Sequence, residues 1–128
     1  MANPTILIIE DDAIFAKSLE QEFTAQGYKV ILAGTGKLGL QAATESNPDI
    51  VLLDVLIPDM TGWDVMKALV SDEKTKNIPV VVDSNLYSSA REMEFLQMGA
   101  LEYVVKSNTD PEGMVKIVAG HLKKSKSK

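Results

Sequence analysis

Short unbroken aliphatic runs that end on an acid or a hydroxyl alternate along this chain with stretches of helical periodicity. The run Ile50-Val51-Leu52-Leu53 passes straight into Asp54, and a loop closed by Pro58 and Gly62 follows. Consecutive aliphatic residues without polar alternation predict a strand covered on both faces, as in a parallel sheet. Thr5-Ile6-Leu7-Ile8-Ile9 is a second such run and ends in Glu10-Asp11-Asp12. Tyr28 to Ala33 predicts another strand, centred on Val30 and Ile31. Ile78 to Val82 predicts a fourth, ending at Asp83-Ser84-Asn85, and Ala100 to Val105 a fifth that delivers Lys106.

Between these runs the period changes. Phe15, Leu19 and Phe23 fall on one helical face with Lys17, Glu20, Gln21 and Glu22 interleaved, and Gly27 stands where a C-terminal cap is wanted. Thr35 caps a predicted helix that runs to about Ser46, where Asn47-Pro48 ends it. Trp63 to Val70 carries Val65, Met66, Leu69 and Val70 at helical spacing, and Asp72 to Asn77 is a polar connection. Ser88 to Met98 predicts a helix with Met93, Leu96 and Gln97 on one face, closed by Gly99. Pro111 fits the first turn of a last helix that turns Met114, Val115, Val118 and Leu122 inward. Strand and helix thus alternate five times, which predicts an α/β fold with a doubly wound parallel sheet and right-handed crossovers. One domain is expected over 1–122, with a Lys/Ser tail over 123–128 expected to fray.

Composition narrows the chemistry. At 128 residues, with 45% hydrophobic and 24% charged, the chain has enough material for one domain with a core. A formal net charge of -5 argues against nucleic acid as the main partner, because phosphates need a basic footprint. The absence of Cys excludes disulfides, thiolate zinc sites and thiol nucleophiles. No apolar run approaches the ~20 residues of a membrane span, and the first residues show no secretory pattern. The expectation is a cytoplasmic protein that does not insert in membranes.

In an open α/β sheet, ligands bind outside the carboxyl ends of the strands. Those ends here offer Glu10, Asp11 and Asp12, then Asp54, Ser84 and Lys106. If the first and third strands are neighbours, their carboxylates share one crevice and repel unless a cation compensates. A hard divalent ion with oxygen ligands answers that need, and Mg²⁺ is the usual choice where phosphates are handled. Lys106 adds a compact positive charge and Ser84 a hydroxyl donor, so Asp54 is placed to attack a phosphoryl group as nucleophile. Nothing in the set is suited to hydrolysing the product quickly, which predicts a lasting acyl phosphate and no enzymatic turnover.

These residues resemble the receiver domains of two-component response regulators, the chemotaxis-regulator-like family, over essentially the whole chain. The resemblance implies the flavodoxin-like (βα)5 fold with strand order 2-1-3-4-5. Asp54 matches the phosphoacceptor, and Asp11, Asp54 and the Leu56 backbone carbonyl match the Mg²⁺ ligands, with Glu10 acting through water. Ser84 matches the switch hydroxyl, Tyr103 the aromatic that moves with it, and Lys106 the phosphate-binding lysine. A sensor histidine kinase or phosphotransfer protein would be the donor. Signalling to a downstream protein would use the surface of the fourth helix, fifth strand and fifth helix, in a monomer or a dimer promoted by phosphorylation. Physically this is a population shift between two packings.

Three positions depart from the family pattern. Asp83 stands where an apolar strand residue is usual, and is expected to reach solvent or else cost stability. Ser107 follows Lys106 where the family has Pro, which predicts either a trans bond with a shifted loop or a strained cis one. Asn85 is bulkier than the usual residue after the hydroxyl and is expected to narrow access to Asp54. Two other readings remain open: an Mg²⁺-dependent aspartyl-phosphate phosphohydrolase, which needs a second acid where Leu56 stands, and a receiver-like interaction module that works without phosphorylation. Asp12 reads as a favourable charge at a helix start, and His121 as neither ligand nor phosphoacceptor.

Overall fold

The computed structural model describes residues 3–126 of the chain. Strand and helix alternate as β1 (Thr5–Ile9), α1 (Ala13–Ala25), β2 (Lys29–Ala33), α2 (Gly36–Ser46), β3 (Ile50–Leu53), α3 (Gly62–Ser71), β4 (Val80–Ser84), α4 (Ser89–Gln97), β5 (Glu102–Val105) and α5 (Pro111–Lys126). A 3-10 turn, Lys106–Asn108, joins β5 to α5. The strands form one parallel sheet in the order β2-β1-β3-β4-β5. The chain direction across the sheet reverses between β1 and β3, so their carboxyl ends flank the crevice where such sheets place ligands.

Each sheet face is buried, which is why the strand sequences do not alternate. Leu7, Ile9, Val51, Leu53 and Val82 pack against Val65, Met66, Leu69 and Phe95 on one side. Ile6, Ile8, Ile50, Leu52, Val81 and Val104 meet Leu19, Phe23, Met114 and Val118 on the other. Each fully buried aliphatic or aromatic side chain contributes roughly 1.5–3 kcal/mol. The helices start where oxygen side chains cap them: Asp12 accepts from the Ile14 and Phe15 amides, Thr35 from Leu38 and Ser88 from Arg91. Thr61 and Asp64 form a reciprocal capping box on α3.

The structure corrects the expected elements in several places. β4 is Val80–Ser84 and not Ile78–Val82. Pro79 has no N–H to give a ladder, and its carbonyl accepts from Val51 just before the strand begins. α4 buries Phe95, while Met93, Leu96 and Gln97 are exposed. The i, i+3 spacing of Met93 and Leu96 imitates a core stripe, but the larger aromatic takes the inward slot and sits edge-on to Trp63 with ring centres 5.6 Å apart. Gly99 follows at φ 113°, which favours glycine over any residue with a Cβ. Residues 123–126 belong to α5, where composition alone predicts fraying, and 127–128 lie outside the described residues. No helix among the described residues is long and apolar enough to cross a membrane.

Candidate functional site

Strand register builds the site. Ile9 pairs with Leu53 and Leu53 with Val82, so the next positions, Glu10, Asp54 and Asp83, stand side by side at three adjacent strand ends. Parallel neighbours in register turn their side chains to one face, here the α1/α5 face that carries Ile8, Leu52 and Val81. Lys106 leaves the end of β5 and crosses back over this row. Its Nζ donates to Glu10 Oε1 at 2.6 Å and to Asp54 Oδ2 at 2.9 Å. The lysine side chain is 15% exposed, against 2% for Glu10 and 6% for Asp54. Phe15 covers it, with the ammonium 4.8 Å from the ring centre. The periodicity of α1 had given Phe15 only a packing role.

The charges in this cluster answer one another. Burial lifts the Glu10 carboxyl above the ordinary glutamate range, and the nearby Asp54 adds to this, while Lys106 and the Asp12 amide oppose it. Burial works against the Lys106 ammonium, yet its bonds to Glu10 and Asp54 outweigh that and hold it above the ordinary lysine value. Asp11 is exposed at the rim. Glu10, Asp11 and Asp54 each bring one carboxylate oxygen within 4.8 Å of the others. Hard oxygen donors at that separation suit a divalent cation such as Mg²⁺.

The loop after β3 is closed on itself and braced from outside. Asp54 Oδ1 accepts from the Leu56 amide at 3.2 Å, and the Gly62 amide donates to the Val55 carbonyl at 2.7 Å. A Cβ on Gly62 would lie 2.6 Å from Val55 Cα, so only glycine permits this approach. At the tip, Asp59 Oδ1 and Oδ2 accept from the Gly36 and Lys37 amides at 2.7 and 2.9 Å, tying the loop to the start of α2. Those bonds hold the Asp59 carboxyl below its ordinary value. Sequence reading missed Asp59, because its partners are backbone amides more than twenty residues away.

Ser84 and Tyr103 lie on the other sheet face and share a partner. The Leu86 amide donates to Ser84 Oγ at 3.2 Å, and the Tyr103 hydroxyl donates to the Leu86 carbonyl. Tyr103 is buried, with its ring 5.8 Å from both Phe95 and Tyr87. The ends of β4 and β5 are therefore joined through the backbone of one loop residue.

The response regulator receiver domain profile matches residues 6–119. The chain belongs to this family. It is 38% identical over 114 residues to the transcriptional regulatory protein KdpE of Mycobacterium tuberculosis, covering 89% of this chain and 47% of that protein. It is 30% identical over 107 residues to the polar-differentiation response regulator DivK of Brucella ovis, covering 84% and 87%. The chain thus spans less than half of KdpE and most of DivK. A CheY-like response regulator receiver domain protein from Methanospirillum hungatei superposes with a TM-score of 0.90, covering 98% of each chain at 22% identity, a likeness of fold.

Within this receiver, the departures from the family pattern resolve physically. Asp83 does not reach solvent: it is 2% exposed, and its Oδ2 has no hydrogen-bond partner. Burial pushes its carboxyl up to about 7, reinforced by Glu10 and Asp54 and opposed by Lys106. The strand continues through Ser84 and pairs Asp83 with Val104, so the acid is held inside the sheet and not at its rim. No peptide bond among the described residues is cis, so the receiver takes the trans alternative at Lys106-Ser107. Asn85 turns to that loop, its Oδ1 accepting from the Ser107 amide at 2.7 Å.

Proposed function

We propose that this receiver accepts a phosphoryl group on Asp54 from a phosphohistidine of a sensor histidine kinase or phosphotransfer protein. The observation that supports this best is the Lys106 ammonium bridging Glu10 and Asp54 at the mouth of the β1/β3 crevice, with Asp11 alongside. Lys106 holds Asp54 Oδ2 and fixes the carboxylate plane, while Oδ1 carries the longer bond from Leu56 and is the freer oxygen. Asp11, Asp54 and the Leu56 carbonyl would hold Mg²⁺, with Glu10 acting through water, and the bound ion would supply positive charge to offset the carboxylates and the incoming phosphoryl oxygens. An Asp54 oxygen forms the new P–O bond as the donor's P–N bond breaks, and the released imidazole keeps the electron pair. The chain promotes its own modification and does not turn over. Leu56 stands where a phosphohydrolase needs its second acid, so no residue there activates water.

Ser84 and Tyr103 form the switch in this reading. Ser84 gives up the Leu86 amide for a phosphoryl oxygen, and Leu86 carries the change to Tyr103. Output then passes through the α4-β5-α5 surface to a downstream protein or a second receiver. Met93 at 59%, Leu96 at 42% and Leu101 at 44% exposure supply apolar contact area there.

Intact mass after incubation with Mg²⁺ and a small acyl phosphate tests the proposal. One added phosphoryl group is expected on the native chain, and none on Asp54→Asn or on a chelated sample. A folded chain that takes up nothing would favour a phosphorylation-independent interaction module. Sustained hydrolysis of phosphate esters would favour the phosphohydrolase.

A further inference from the structure

We propose that Asn85 is a positioning residue for Lys106, acting through the Ser107 amide; this rests on the reading of Asp54 and Lys106 as the phosphoryl site. The β4–β5 ladder ends at Ser84 and Val105. Beyond that pair the sheet gives no further restraint, yet Lys106 is the next residue and its ammonium must reach across β4 to β3 and β1. The 3-10 turn that carries it is loosely closed, since the Thr109 amide lies 3.3 Å from the Lys106 carbonyl. The short bond is the one from Ser107 N–H to Asn85 Oδ1 at 2.7 Å. It continues the β4–β5 connection one step past the ladder, through a side chain. Asn85 extends from β4 and Ser107 follows Lys106, so the bond fixes the direction in which the lysine stem leaves β5.

The two departures at 85 and 107 are one device. A proline at 107 has no N–H to donate, and a small apolar residue at 85 has no oxygen to accept. Each residue of the pair is useful only with the other. Asn85 touches neither Asp54 nor a phosphoryl group in this account; it acts by holding Lys106 against Glu10 and Asp54.

The test compares the full chain with Asn85→Ala in the native and Ser107→Pro backgrounds. The rate of Asp54 phosphorylation at saturating Mg²⁺ is expected to fall roughly two- to tenfold in Asn85→Ala, the factor set by one neutral hydrogen bond. Acylation of Lys106 by an amine-reactive ester, mapped by peptide mass against exposed Lys17, is expected to rise severalfold. In the Ser107→Pro background, Asn85→Ala is expected to change neither readout. A purely structural role would lower the melting temperature while leaving Lys106 reactivity unmoved, and that result overturns the proposal. So does an equal effect of Asn85→Ala in both backgrounds. If the native chain gains no phosphoryl group while Lys106 reactivity still rises in Asn85→Ala, the phosphoacceptor reading fails and the positioning role stands.

Discussion

Glu10 and Asp83 flank Asp54 on the same face of the sheet, one just past the end of β1 and the other on β4, yet their charges have different partners. Glu10 has Lys106 on one oxygen and the Asp12 amide on the other. Asp83 has an orphaned oxygen and the same lysine only at a distance. Burial depth is nearly equal, so partners decide the outcome. Burial raises both carboxyls, but in Glu10 the bonded lysine and amide oppose it, whereas Asp83, with no partner on one oxygen, is pushed up to about 7. One lysine at the end of β5 can satisfy two carboxylates of the row, and the third is left over.

Removing the shared cation should have the largest effect on this row of acids. Lys106→Met leaves three buried acids facing one another and is expected to cost about 3–5 kcal/mol at neutral pH, read from urea unfolding. A loss under about 1 kcal/mol would mean the cluster does not depend on the ammonium.

Asp83→Val should act in the opposite direction, with a specific pH dependence. The native carboxyl titrates near 7, above the ordinary aspartate value of 3.8, so the folded state binds this proton more tightly. Below about 3.8 both states hold the proton and Asp83 contributes no pH dependence. As pH rises towards 7 the unfolded chain releases first, and native stability falls by about 1.4 kcal/mol per pH unit. The deficit levels off above 7 at about 4 kcal/mol. The valine variant should gain that amount at pH 8 and little of it at pH 4; a gain independent of pH would assign the effect to packing alone.

Tyr103→Phe probes the other, uncharged face of the sheet. Losing the bond to the Leu86 carbonyl should cost about 0.5–1.5 kcal/mol, equally at pH 5 and pH 8, in the same unfolding assay. The smallest effect is expected at Asp59→Ala, an exposed site. Amide exchange at Gly36 and Lys37 should quicken there while global stability moves little. In the native chain the brace should weaken as pH falls through the lowered carboxyl value of Asp59, because protonation removes the acceptor charge.

The sheet and its active edge were legible in the sequence for a simple reason. Strands buried on both faces write themselves as aliphatic runs, and the residues that end those runs must stand at the crevice. Asp54, Glu10 and Lys106 could be placed together on that ground, and Thr35 could be read as a cap from its own chemistry. Other features depend on competition between neighbours. Phe95 displaces Met93 and Leu96 from the core by size, which no periodicity encodes. Asp83 is sealed in because β4 runs on through Ser84, two residues past the expected end. Asn85 and Ser107 read in the sequence as independent departures, because the hydrogen bond from the Ser107 amide to Asn85 Oδ1 joins residues 22 apart in the chain.

Of this row of buried acids, Asp54 is the proposed phosphoacceptor. Site mapping tests it most directly: the chain is phosphorylated with Mg²⁺ and an acyl phosphate, the product is reduced with borohydride, and the peptides are sequenced by mass. Reduction converts an aspartyl phosphate to homoserine, so the expected result is homoserine at position 54 alone, absent when Mg²⁺ is chelated. Homoserine at Asp11, Asp83 or any other acid, or none at all from folded protein, would contradict it.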